Sequence, residues 1–235
     1  MEPTRRSFLV AAAAVFLAAG ISTARAENYT VINTSTSGPG SLTQAIQDSN
    51  ARSGQDTIVF NIPGSGVHLI DLSQGSLPEI TDSLIIDGYT QPGAHPNTLS
   101  IGNDAIILIQ LDGGLVKRNG RGLVISGSNC LVRGLAITGF QFDPTSDPFF
   151  FRVLGGFGIQ LLGAGTGNVI QGNFIGLYPD GLTPRANYVG IRVEGAPLII
   201  GGAIIGGTEP AARNVISSKG FVTTMTIASG ELGAI

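Results

Sequence analysis

Tryptophan is absent from this chain, cysteine occurs once, histidine and methionine twice each, and charged side chains make up only 12% of its 235 residues. Each scarcity removes a class of protein. The single Cys130 has no internal disulfide partner, and within the apolar phrase Asn-Cys-Leu-Val-Arg it reads as a small buried hydrophobe rather than a reactive thiol. The two histidines, His68 and His95, lie outside the repeating part of the chain. They assemble no zinc constellation and read as solvated or turn residues. With 13 Lys and Arg against 16 Asp and Glu the net charge is −3, without the basic clusters that a nucleic-acid partner requires. What is abundant is glycine, 35 residues, within a chain that is 43% hydrophobic. That combination describes a turn-rich β protein with an aliphatic core, and the high aliphatic content disfavours disorder.

Met1 to Ala26 has the three zones of an export signal. Arg5 and Arg6 supply the charge, Phe8 to Ile21 the apolar zone, and Thr23-Ala-Arg-Ala26 a small-x-small site with cleavage after Ala26. The apolar zone falls short of the ~20 residues a membrane span takes, so the mature chain is read without a transmembrane segment. Thr4-Arg-Arg-Ser-Phe-Leu9 resembles a twin-arginine signal, with an ordinary Sec signal as the alternative. The expected location is periplasmic, extracellular or at the cell surface, and residues 27–235 are expected to form one domain.

The second half carries a glycine-bounded apolar phrase three times: Gly122-Leu-Val-Ile-Ser-Gly127, Gly158-Ile-Gln-Leu-Leu-Gly163 and Gly190-Ile-Arg-Val-Glu-Gly195. Each is followed by a second apolar stretch closed by glycine, over Asn129 to Gly139, Asn168 to Gly176 and Leu198 to Gly206. These intervals are those of repeat units that bury their apolar side only by stacking on their neighbours. Because the phrases recur in the same sense, the strands are expected to stack in parallel. Asn129, Asn168 and Asn214 each stand just before an apolar strand, where Asn accepts a left-handed bend and bonds a neighbouring turn; a structural role is expected for all three.

Upstream, one helix is expected. Ser41 caps it, Gln44 completes a capping box, and Leu42, Ala45, Ile46 and Ala51 form its apolar stripe, ending near Asn50 to Gly54. Strands are expected at Tyr29 to Asn33, Thr57 to Ile62, Val67 to Leu72, Ser83 to Asp87 and Ile106 to Asp112, with a long excursion from Gly88 to Asn97.

Ser37-Gly-Pro-Gly-Ser-Leu-Thr-Gln-Ala-Ile46, Asp56-Thr-Ile-Val-Phe-Asn-Ile-Pro63, Asp87-Gly-Tyr-Thr-Gln-Pro-Gly93 and Ala211-Ala-Arg-Asn-Val-Ile-Ser217 follow one another along the chain. In these motifs the sequence resembles a family of bacterial exported, pectin-lyase-like proteins. The resemblance implies an all-β fold, a right-handed parallel β-helix solenoid of three sheets with an N-terminal capping helix. It implies a scaffold more firmly than an activity, since fold alone does not fix function.

Many proteins of that kind cleave acidic polysaccharides, which needs paired carboxylates, or calcium held by acids beside a proton-abstracting base. Asp87 and Asp112 are the candidates: each precedes Gly at a strand end, about one turn of the coil apart, so that they stack on one edge. Asp-Gly is equally an ordinary turn pair. No Asp-Asp pair, His-Gly near an acidic strand end, or Arg-x-x-Pro-x-x-Arg phrase accompanies them. No metal or cofactor is therefore expected, and calcium enters only with a lyase. Arg121, Arg133, Arg192 and Arg213 stand near strand ends, either for carboxylated sugars or for turn carbonyls. The insertion Phe140 to Phe151 offers Phe149, Phe150 and Phe151 as a surface for sugars or a protein partner, or else folds back over the coil. Tyr178 to Pro184 requires only Asp-Gly turn chemistry, and the pattern dissolves after Gly220, as in a shortened member of a longer family or a chain closed by a partner. The reading is a secreted or cell-surface scaffold, non-enzymatic, in contact with polysaccharide or protein; the alternative is a polysaccharide lyase or glycoside hydrolase.

Overall fold

The computed structural model describes residues 25–116, 119–146, 155–163, 165–194 and 202–219. Arg5 and Arg6 of the expected signal, the Phe149 to Phe151 cluster and the stretch after Lys219 lie outside these residues.

Among the described residues the chain is all-β apart from one α-helix and three short 3-10 turns. Its strands are β1 (Asn28–Val31), β2 (Asp56–Phe60), β3 (His68–Asp71), β4 (Leu84–Asp87), β5 (Ile109–Asp112), β6 (Arg121–Ile125), β7 (Leu131–Arg133), β8 (Leu135–Thr138), β9 (Phe157–Leu161), β10 (Val169–Ile170), β11 (Phe174–Ile175), β12 (Val189–Val193), β13 (Ile204–Ile205) and β14 (Val215–Ile216). Every strand pairing is parallel. Three sheets result, in the orders β1-β2-β4-β7-β10-β13, β3-β5-β8-β11-β14 and β6-β9-β12. From β4 onward the chain visits the six-, five- and three-stranded sheets in unbroken rotation. Ile80, in a parallel bridge with Ile125, extends the smallest sheet one pass earlier.

The aligned registers stack like residues on like. In the six-stranded sheet Ile58, Ile86, Val132, Ile170 and Ile205 follow one another, and in the five-stranded sheet Ile70, Leu111, Ile137, Ile175 and Ile216 do the same. The inner members of these rows, with Leu123, Ile125 and Ile159 of the third sheet, form one continuous buried core. The repeated glycines take the second positions of β6, β9 and β12. A Cβ at Gly122 would collide with the Gly158 carbonyl, and one at Gly158 would lie 2.7 Å from the Gly190 carbonyl. Close approach of neighbouring strands, rather than a turn, therefore requires glycine there.

Asparagines close the bends. Asn129 takes the left-handed conformation (φ 57°). Buried Asn168 accepts from the Cys130 amide (2.9 Å) and donates to the Gly127 carbonyl (3.1 Å). Asn173 accepts from the Leu135 amide (3.1 Å), and Asn214 accepts from the Asn173 amide (3.0 Å) and donates to the Ile170 carbonyl (2.8 Å). Asn187 spans Phe140 and Ile137 in the same way. The side chains of Asn168, Asn173, Asn187 and Asn214 thus satisfy backbone groups of the preceding pass that would otherwise be buried unpaired.

Helix α1 (Leu42–Asn50) packs Leu42, Ala45 and Ile46 against β1 and β2. Ser41 caps it by accepting the Gln44 amide (3.1 Å). Two expectations fail in detail. The Gln44 side chain donates forward to Asp48 (2.8 Å) instead of reaching back, so the capping box is half formed, and Ala51 is exposed at the C-cap, outside the apolar stripe. The excursion after β4 and the turn after β11 also do more than connect strands. Ile107 and Leu177, with Tyr89 and Ala105, cover Ala136 and Phe174 on the outer face of the five-stranded sheet in a second small core.

Candidate functional site

Asp87 and Asp112 end strands of different sheets, so they do not stack on one edge. The register pairs Asp87 with Arg133 and places Asp112 beside Asp71. Asp87 caps the turn Gly88–Thr90 by accepting the Tyr89 amide (3.1 Å), and its other oxygen accepts from Arg133 Nη2 at 2.6 Å. Asp112 is held more fully. Its carboxylate accepts Arg185 Nε at 3.0 Å and Nη2 at 2.7 Å in a forked arrangement, and the Gly114 amide at 3.0 Å. Both side chains of this second pair are largely shielded, 19% exposed for Arg185 and 11% for Asp112.

Arg185 is the residue that sequence reasoning missed. It follows Pro184 in an excursion otherwise explained by turn chemistry, and only the topology brings it to Asp112. Its guanidinium lies 5.4 Å from the Tyr178 ring centroid, and hydrogen bonding to Asp112 raises its pKa further above the ordinary arginine value. The Asp71 carboxyl is held below the ordinary aspartate value, first by hydrogen bonds from the Ser73 amide and hydroxyl, then by the Arg185 charge. The one guanidinium thus faces two acids, with both oxygens of Asp112 engaged on it and the exposed Asp71 alongside. Among the described residues no three His, Cys, Asp or Glu side chains converge on one point.

Beside this cluster a cleft of about 260 Å³ opens between the turn at Ser73 to Ser76 and Gly113, Val116, Asn119 and Gly120, with Phe140 in its lining. A shallower apolar groove runs over the six-stranded sheet, where Ile85, Leu131, Val169 and Ile204 line up on the outer face.

The other candidates resolve individually. Arg213 donates to the carbonyls of Leu99 (3.4 Å), Ser100 (2.7 Å) and Gly102, the turn-carbonyl role. Arg192 pairs with Glu194 and sits 4.8 Å from the Phe157 ring centroid. Arg121 opens β6 and is also engaged. His68 is neither solvated nor in a turn: β3 buries it, and its Nε2 lies 3.0 Å from Gln91 Nε2. That Gln91 clamps both backbone groups of Ile62 at 2.9 Å, so the pair locks the excursion after β4 to the loop after β2. His95 is exposed beside the Pro96 carbonyl (3.1 Å). Cys130 is buried, and desolvation pushes its thiol pKa up, away from reactivity. Phe140 and Phe142 are buried, the latter against Tyr188 with ring centroids 5.1 Å apart, so the described start of the aromatic insertion folds back on the sheets. In the turn after β11, Asp180 accepts the Leu182 (2.9 Å) and Thr183 (2.8 Å) amides, as turn chemistry requires.

No family model, no curated protein and no solved structure matches this chain. No helix among the described residues is long and apolar enough to cross a membrane.

Proposed function

We propose that this chain is an exported right-handed parallel β-helix, capped at its N-terminal end by α1, that serves as a non-enzymatic scaffold at the cell surface or outside the cell. The rotation of the chain through three parallel sheets and the placement of α1 on β1 and β2 support the architecture. The observation that carries the functional reading is the engagement of both candidate carboxylates. Asp87 and Asp112 each spend their oxygens on an arginine and a turn amide, which leaves neither poised as acid, base or calcium ligand. The twin-arginine-like segment with Arg5 and Arg6, and cleavage after Ala26, supply the exported location in this reading.

The test is incubation of the purified mature chain with plant and bacterial polysaccharides, with and without calcium, following cleavage products and binding together. A scaffold gives no unsaturated or reducing-end products under either condition. Turnover abolished by Asp87→Asn or Asp112→Asn in a folded protein would establish the lyase or hydrolase alternative. Binding without cleavage would instead mark a sugar-binding module, with the cleft at Ser73 to Ser76 and the Phe149 to Phe151 segment as places to substitute.

A further inference from the structure

Asp56 opens β2 on its inward row, beside Leu84 of β4, and is 1% exposed. Its Oδ1 accepts one hydrogen bond, from the Glu27 amide at 2.9 Å. Its Oδ2 is buried with no hydrogen-bond partner among the described residues. A carboxylate taken out of water with one neutral donor and, among the described residues, no ion-pair partner is costly and calls for a reason. The donor is also unusual. Glu27 is the residue that cleavage after Ala26 would make the first of the mature chain, and both Ala26 and Arg25 before it are exposed. The Glu27 carbonyl accepts the Thr57 amide at 2.8 Å, which holds the residue bearing that nitrogen beside β2.

We propose that removal of the export signal completes this site: the new α-ammonium of Glu27 forms a buried ion pair with Asp56, so that processing itself tightens the first strands of the fold. The inference rests on the export reading above. Water adds across the Ala26–Glu27 amide under a signal peptidase: the C–N bond breaks, hydroxide goes to the Ala26 carbonyl, and the freed amine takes protons to become an ammonium. One N–H then becomes three, enough to reach both oxygens of Asp56, and a neutral donor becomes a cation.

Other charged groups lie around these first strands. Tyr29 on β1 feels Asp56 together with Arg52, Asp48 and the Glu27 side chain, and burial followed by the Asp56 charge pushes its phenol up. Asp82, before β4, accepts the Gly54 amide nearby at 3.1 Å. Arg25, paired with the Glu27 side chain at 3.4 Å, leaves with the signal.

Two chains decide the matter, one beginning at Glu27 and one retaining Thr23 to Ala26, each with Asp56 or with Asp56→Asn, melted at pH 6 and pH 10. An α-amine has an ordinary pKa near 8, and the carboxylate holds its proton more tightly in the folded state. The gain is therefore full below about pH 8 and is lost as pH rises through the raised value. The Glu27 chain is expected to melt roughly 4–8 °C above the longer one at pH 6. The gap should shrink at pH 10, and it should vanish with Asp56→Asn. Equal melting temperatures at pH 6, or a gap indifferent to pH, would overturn the proposal even if Asp56→Asn fails to fold. Mass analysis of the exported protein's N-terminus is a separate arm: a start other than Glu27 would refute the processing site while leaving the pairing measured on the two chains intact.

Discussion

Asp112 and Asp87 present the same dipeptide and the same chemistry, yet the two sites differ in how much water reaches them. The Arg185 pair is shielded on both sides, whereas Arg133 is 42% exposed opposite Asp87. Removing one partner of a shielded pair strands the other, so Asp112→Asn is expected to cost about 2–4 kcal/mol. Asp87→Asn, cushioned by solvent on Arg133, should cost about 1 kcal/mol or less. Chemical denaturation of the two variants checks the order, and equal losses would contradict it. At this scale the sequence was half legible. Turn chemistry was readable from Asp-Gly, because an aspartate side chain bonds the backbone two residues on. The guanidinium partners were not, because Arg133 and Arg185 reach their aspartates through strand register and loop packing that no local pattern encodes.

The glycine-bounded phrases became β6, β9 and β12, and the reason is a contact between elements. Gly158 lies between two neighbouring strands, with the Gly190 carbonyl and the Asn187 side-chain nitrogen both 2.7 Å from where a Cβ would stand. Gly158→Ala must push β12 from β9 and is expected to cost about 3 kcal/mol. Gly75→Ala, in open space without a left-handed φ, should be neutral or slightly stabilising. Thermal melts of both variants separate a packing glycine from a loop glycine. Elements with four or five alternating residues, such as β2 and β6, were readable from their pattern. The two-residue strands β10, β11, β13 and β14 were located only by the asparagines and glycines around them. Asn173 and Asn187 went unread because nothing in their own neighbourhood separates them from loop asparagines; their partners lie one pass back along the chain.

For the molecule as a whole, parallel stacking followed from phrases repeated in the same sense, and the three-sheet rotation agrees with it. The covering of the five-stranded sheet was not foreseen. Its outer face, at Ala136 and Phe174, is apolar because the excursion through Tyr89 and Ile107 and the turn after Leu177 lie on it, and excursions read from sequence look like mere connections. The same arrangement has a mechanical meaning. Each ladder gains its strands in chain order, so the hydrogen bonds holding one pass to the next all lie along the direction in which passes accumulate. Tension applied to the two ends of the chain therefore loads one rung at a time. Single-molecule pulling should release the protein as a staircase of small events, one per pass, and the Arg185–Asp112 clamp, which ties the turn after β11 to the end of β5, should register as its tallest step.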